Sequence, residues 1–185
     1  MYPQLTLTTL DIPTISARHP WVLKRQIAPA TATIIHGTLI TICDPDGNFI
    51  GNGTYSAHGN ISIRLLTRQQ ETIDRTWLVN RITEANNVRL QLGYGPNTNT
   101  TGYRVLFGEA DFLPGLVIDR FDNSIVFQIA TAGIDNLRNE VITAIQHVFS
   151  PSVIVERSEM PVRKEERLEP VSQLHVGESA AVTFL

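Results

Sequence analysis

Between positions 38 and 66, apolar and polar residues alternate with a period of two, the pattern of strands that bury one face. Leu39, Thr41 and Cys43 alternate with Ile40 and Ile42, and Asp44-Pro45-Asp46-Gly47 then supplies strong turn chemistry. Residues 48–55 read as a second strand, in which Gly51 and Gly53 point to a bulge or a close backbone approach. After a turn at 56–60, Ile61, Ile63 and Leu65 alternate with Ser62 and Arg64, so Arg64 faces away from the Ile61/Ile63 side. Short strands at this spacing predict a small barrel or sandwich, to which residues 22–27 add another strand or a short helical turn.

From 72 to 92 the period lengthens. Ile73, Trp77, Ile82, Ala85, Val88 and Leu92 follow helical spacing, Glu71 stands four residues before Arg75, and Gly93-Tyr94-Gly95-Pro96 is the stop signal. The loop 93–101, rich in Gly, Asn and Thr, is the best domain boundary. Strand-like segments follow at 103–107, 116–120 and 125–131, joined by Pro114-Gly115 and Asp122-Asn123 turns. A helix is predicted over 134–149, with Ile134, Leu137, Val141, Ile145 and Val148 on one face. Val153-Ile154-Val155 reads as a buried strand, and alternation returns weakly at Leu174 and Val176. The expected organisation is a β-rich domain with its trailing helix over 1–92 and an α+β domain over 100–185. The apolar ending Val182-Thr183-Phe184-Leu185 is expected to continue into material that covers it.

With 42% hydrophobic and 18% charged residues, the chain suits a folded protein rather than long disorder. No apolar run approaches the roughly 18 residues of a membrane span, and the first thirty residues lack a signal-peptide pattern. A cytoplasmic protein with no membrane partner is the expectation. Cys43 is the single cysteine, so an intrachain disulfide or a thiolate zinc site is excluded, and a small buried hydrophobe suits it better than a nucleophile. The net charge of −3 opposes indiscriminate nucleic-acid binding. The balance is uneven: eight Lys/Arg face six Asp/Glu up to Leu92, and seven face twelve beyond it. Nucleic-acid contact is therefore expected to be local, to favour the first half, and to use arginine, which makes thirteen of the fifteen basic residues.

Arg18-His19-Pro20-Trp21-Val22-Leu23-Lys24-Arg25 interleaves basic side chains with an aromatic, a combination that can hold phosphates and stack on an unpaired base. Composition alone favours a plainer reading, with Trp21 in the core and the charges on a solvated rim. Arg64, Arg68, Arg75, Arg81 and Arg89 form a second basic series, most of it expected on a solvated helix face. Glu109 and Asp111 could be paired carboxylates for acid–base work. Local roles suit them better, Asp111 and Asp119 binding loop amides or pairing with Arg104 or Arg120. The mixed-charge stretches Glu156-Arg157-Ser158 and Arg163-Lys164-Glu165-Glu166-Arg167 read as a solvated loop or, alternatively, a docking or RNA-facing edge. His36, His58, His147 and His175 keep no metal-ligand spacing and are expected on surfaces or turns.

Arg18-His19-Pro20-Trp21, the stretch 46–53 and Ile61-Ser62-Ile63-Arg64 resemble the PUA portion of the 23S ribosomal RNA (cytosine-C5)-methyltransferases. Tyr103-Arg104, the run Gly108-Glu-Ala-Asp-Phe-Leu-Pro-Gly-Leu-Val-Ile-Asp-Arg120, and the stretch 155–163 resemble the α+β domain that connects it to the catalytic part. The resemblance covers nearly the whole chain, and the run ending at Arg120 is its most specific part. It implies an α+β protein: an N-terminal PUA-like small β-barrel, then a small α+β domain of three strands, a helix and two or more strands, with the catalytic Rossmann-like domain absent. It further implies class I S-adenosylmethionine-dependent methyl transfer to ribosomal RNA. This segment would bind and position the RNA, hold no cofactor or catalytic residue, and work with a C-terminal catalytic domain in cis or in trans. The oligomeric state stays open, a homodimer included. The expected RNA contacts are Arg18, His19, Lys24, Arg25 and Arg64, with Arg104, Arg120, Arg157 and Arg163 behind them. The rival readings are a stand-alone protein- or RNA-interaction module and a small enzyme using Glu109 and Asp111. One departure stands out: Arg167 occupies a position where the family has glycine, which puts the local turn in doubt.

Overall fold

The structure, a computed structural model, describes residues 2–9, 19–29 and 33–178. The first sheet contains β1 (Gln4–Thr6), β2 (Trp21–Leu23), β3 (Leu39–Cys43), β4 (Phe49–Tyr55) and β5 (Ile61–Thr67), in the order β1-β3-β4-β5-β2. An antiparallel bridge between Leu7 and Ile27 joins the two edges, with Thr8 N–H donating to the Gln26 carbonyl at 2.9 Å and Ala28 N–H to that of Thr6 at 2.8 Å. The sheet thereby closes into a small barrel, which shields its edge strands. Its core is Leu5, Leu7, Val22, Ile40, Ile42, Ile63 and Leu65.

The turn chemistry of the β3–β4 connection is visible in its bonds. The Asp44 carboxylate accepts from the amides of Asp46 (2.9 Å) and Asn48 (2.8 Å) and from the Asn48 side chain (2.8 Å). These donors, the Asn48 side chain foremost, hold its pKa below the ordinary carboxylate value. Gly51 and Gly53 meet the expectation of close approach: a Cβ on Gly53 would strike the Arg64 carbonyl, one on Gly51 that of Thr67, and the β4–β5 register shifts between Asn52 and Gly53. Cys43 is buried, and burial together with neighbouring Asp44 pushes its thiol pKa up.

Helix α1 (Arg75–Gln91) starts on Asp74, whose carboxylate accepts from Trp77 N–H at 2.9 Å. The expected Glu71–Arg75 pair does not form, because Glu71 precedes the helix; it accepts instead from Thr67 Oγ1 and, at 2.9 Å, from Trp77 Nε1. The buried face is Trp77, Leu78, Ile82 and Ala85, whereas Val88 and Leu92 are exposed. These buried residues join the second core rather than the barrel core.

The second sheet is one mixed unit of five strands, β6 (Gly102–Phe107), β7 (Leu116–Phe121), β8 (Ser124–Ile129), β9 (Val153–Ser158) and β10 (Val171–Val176), in the order β10-β9-β8-β7-β6. Its pairs are antiparallel except β8–β9, which runs parallel through a helical crossover. The predicted single helix of that crossover is two, α2 (Ala132–Asp135) and α3 (Arg138–Phe149). A short α4 (Val162–Glu165) precedes β10. Glu156 and Ser158, expected on a solvated loop, are fully buried in β9. The turn after α4 does form with Arg167 in place of glycine, at a left-handed φ of 53°.

Strand β5 welds the two halves. Leu65 enters the barrel core and its neighbour Leu66 the second core. Buried Glu166 accepts from Arg64 at 2.8 Å, and its backbone carbonyl accepts from His36 Nε2 at 2.8 Å. The His36 Nδ1 accepts from Ala57 N–H at 3.2 Å, which places the ring proton on Nε2.

Candidate nucleic-acid interface

Strand β2 begins the candidate interface. Opposite Arg64 on β5, Trp21 is half-buried, and its indole N–H donates to Glu109 Oε1 at 2.8 Å. Exposed His19 packs edge-on against the indole with ring centroids 5.0 Å apart, and its Nδ1 accepts from Trp21 N–H at 3.2 Å. The chain then makes one turn of 3-10 helix, Lys24–Gln26. Gln26 Oε1 accepts from Leu23 N–H at 2.7 Å, and Lys24 N–H donates to the Asn60 carbonyl at 3.0 Å. This pinned turn carries Lys24 and Arg25 on the surface, where neither makes an ion pair among the described residues. A shallow cavity of about 200 Å³ lined by His19, Trp21, Leu23 and Gln26 adjoins them in sequence.

The other expected contacts have different fates. Arg18 lies outside the described residues, as does the segment 182–185. Arg64 points away from the barrel core as expected but ends on Glu166, with side-chain exposures of 11% and 4%, so its cation is neutralised inside the protein. Arg163 is buried: it donates to the Ile129 carbonyl at 2.7 Å and the Glu169 carbonyl at 2.6 Å, and pairs with Asp135 at 2.9 Å. An arginine so placed cannot reach a phosphate. Arg104 forks onto Asp119 at 2.8 and 3.0 Å, a bond that raises its pKa further. Arg120 donates to the Asp122 carbonyl at 2.7 Å and lies over the Phe149 ring, and Arg157 pairs with Glu159 at 2.8 Å.

Glu109 and Asp111 do not form an acid–base pair. Glu109 is engaged by Trp21, while Asp111 accepts from both terminal guanidinium nitrogens of Arg89 and from Phe107 N–H at 2.6 Å. His36 and His58 lie on turns and His147 is exposed, as expected of the histidines; His175, in β10, departs from expectation. His36 sits at the junction against His58, with ring centroids 4.8 Å apart. His175 reaches buried Glu156 at 3.0 Å, within a network of Glu156, Ser158, Arg138, Asp135 and Arg163. No sequence spacing announces its Arg163–Asp135, Arg138–Glu156 and His175–Glu156 links, since each joins separate elements. Among the described residues no cluster of His, Cys, Asp or Glu could hold a metal ion, and no helix is long and apolar enough to cross a membrane.

Residues 5–68, the barrel, match the PUA-like domain family. Ribosomal RNA large subunit methyltransferase I of Yersinia pseudotuberculosis and its Yersinia pestis counterpart are each 36% identical over 162 residues, covering 87% of this chain. The chain spans about 40% of the length of these curated relatives. Among solved structures, a chain described as a SAM-dependent methyltransferase from Streptococcus mutans superposes with a TM-score of 0.76 at 14% identity, over 96% of this chain and 44% of its own. A methyltransferase structure complexed with SAH gives the same TM-score over 43% of its length. This likeness overturns the expectation that the catalytic Rossmann-like domain is absent, whereas the expected run of three strands, a helical segment and two further strands is present. The five-stranded mixed sheet with its helices, together with the barrel, follows the fold of the matched 44% of that Streptococcus mutans chain. Nor do these neighbours support the expectation that the segment holds no cofactor, since one of them is complexed with SAH. The chain thus carries a PUA-like domain and is a homologue, over most of its length, of ribosomal RNA large subunit methyltransferase I.

Proposed function

We propose that the chain binds ribosomal RNA through the barrel edge that carries Lys24 and Arg25. There it orients the RNA for class I S-adenosylmethionine-dependent methyl transfer to cytosine C5, in the cytoplasm. The observation that carries this reading is a contrast among cations. Lys24 and Arg25 stand exposed on a pinned turn of a PUA-like barrel, beside His19 and Trp21. The arginines of the second sheet are engaged by carboxylates or carbonyls. Exposed, unneutralised cations release counterions when they meet phosphates, which is where binding energy and salt dependence arise. His19, with one ring nitrogen occupied by Trp21 N–H, offers a flat edge to a base.

S-adenosylmethionine, when bound, supplies the methyl group. The β8–α2 turn is where a parallel strand passes into a helix, the geometry that commonly cradles nucleotide-like cofactors. Here Thr54 of the barrel fills the space over Gly133, and Asp135 is held by Arg138 and Arg163. That turn does not fit the group.

The test is a titration of labelled ribosomal RNA fragments against the chain over a range of salt concentrations. Lys24→Ala with Arg25→Ala is expected to weaken binding and to flatten the salt slope by about one for each phosphate no longer held. As surface changes, they should leave stability within about 0.5 kcal/mol. An unchanged affinity and slope would remove the edge from the reading.

A further inference from the structure

A cleft of about 320 Å³ opens between the end of β5, the middle of α1 and the Gly108–Asp111 turn, within the range of about 300–1,000 Å³ typical of small-ligand sites. Its walls include Phe112, Glu109, Arg68 and Arg81. It adjoins the candidate interface, because Pro20 is part of its lining and the Trp21 indole is bonded to Glu109.

Phe112 is the unusual residue. Its φ of 58° and ψ of 27° are left-handed, a conformation that glycine takes freely and a phenylalanine rarely does. The backbone is fixed there, Phe112 N–H donating to the Glu109 carbonyl at 3.2 Å and Leu113 N–H to that of Gly108 at 3.0 Å, with the Leu113 side chain fully buried. Phe112 itself is 69% exposed. Backbone strain and an exposed aromatic surface thus coincide at one residue, where burial of the ring compensates for neither. Strain of this kind collects at binding sites.

The remaining groups define what the ring faces. Glu109 Oε1 is fixed by the Trp21 indole at 2.8 Å, which leaves Oε2 as an acceptor for a ligand. Arg81 is steadied over the Trp77 ring at 5.3 Å and by Glu84 at 3.2 Å, and Arg68 reaches the His19 carbonyl at 3.3 Å. A stacking platform, a carboxylate acceptor and two guanidinium groups are the complement of a single nucleotide: a base, its amino group and its flanking phosphates.

We infer that this cleft receives one unpaired nucleotide of single-stranded RNA. Its base stacks on Phe112, an amino-bearing base is preferred over uracil because Glu109 accepts from the amino group and repels a carbonyl oxygen, and Arg68 and Arg81 hold the adjacent phosphates. The inference rests on the RNA-binding reading above and adds a base-selective site to it.

The experiment is fluorescence anisotropy of the full chain with two fluorescein-labelled oligoribonucleotides, an oligouridylate and the same oligomer carrying one central guanosine. The guanosine oligomer should bind more tightly. Phe112→Gly is expected to fold at least as well as the parent, because glycine accepts this backbone, yet to bind the guanosine oligomer about tenfold more weakly without the stacking surface. Phe112→Trp should retain binding, and Glu109→Gln should narrow the preference between the two oligomers. If the parent binds RNA and Phe112→Gly binds it equally well, the cleft is not the site and the edge reading stands. If the parent binds neither these oligomers nor ribosomal RNA fragments, both readings fall.

Discussion

The barrel and the second sheet hold themselves together by different means. The barrel has a small apolar core and achieves closure through backbone bonds between the ends of β1 and β2 and through glycines that let β4 and β5 nearly touch. The second sheet has a larger apolar core, shared with α1 and α3, and beside it a partly buried ionic chain running from Arg163 through Asp135 and Arg138 to Glu156 and His175. Arginine consequently means different things in the two regions. In the second sheet it is a strut: Arg163 satisfies the carbonyls of Ile129 and Glu169. On the barrel edge Arg25 is a surface charge and available to a partner. The lesson is that charge type does not announce a nucleic-acid contact; burial and the carboxylates within reach decide it.

Removing a strut should cost the molecule the most stability. Arg163→Met leaves the Ile129 and Glu169 carbonyls and part of the Asp135 charge without their donor, and should lower stability by about 3 kcal/mol or more in urea unfolding followed by circular dichroism. A destabilisation no larger than that of a surface substitution would show that the network is dispensable. Next in size is a test of the barrel's reliance on close backbone approach. Gly53→Ala forces a methyl into the Arg64 carbonyl and should cost about 1–3 kcal/mol in the same assay; a neutral result would mean that β4 and β5 can part without penalty.

The smallest effect concerns the seam. The His58 pKa lies below its ordinary value of 6.5, chiefly through desolvation and then through Arg167 and His36, with Glu166 acting in the opposite sense. The unfolded chain therefore binds this proton more readily than the folded one. The contribution of His58 to stability is present above pH 6.5 and is lost as pH falls from there toward the folded value. Thermal unfolding compared between the parent and His58→Gln should show less decline over that acidic interval in the variant. Identical pH profiles would show that the seam does not sense this titration.

Much of the element pattern was legible because alternation and turn chemistry are local. Asp44-Pro45-Asp46-Gly47 makes the turn its residues demand, and Gly51 and Gly53 sit where the backbones converge. Boundaries and faces were less legible. Helix α1 begins after Glu71 because Asp74 caps it, and Val88 and Leu92 keep helical spacing while facing solvent. Arg64 shows the limit for the candidate site: alternation indicated the direction in which it points, but its partner lies 102 residues away, on a turn that no periodicity connects to it.

Neighbours along the chain were enough to specify the alternating strands, the turns, and which short runs combine cations with aromatics. Folding in three dimensions settled the rest: that Leu65 and Leu66 serve different cores, that Arg163 and Glu156 are buried while Lys24 and Arg25 are not, and that Phe112 stands exposed beside Glu109 and Arg81. The physical reason is that burial and ion pairing are set by groups distant in sequence, whose meeting depends on how the sheets pack.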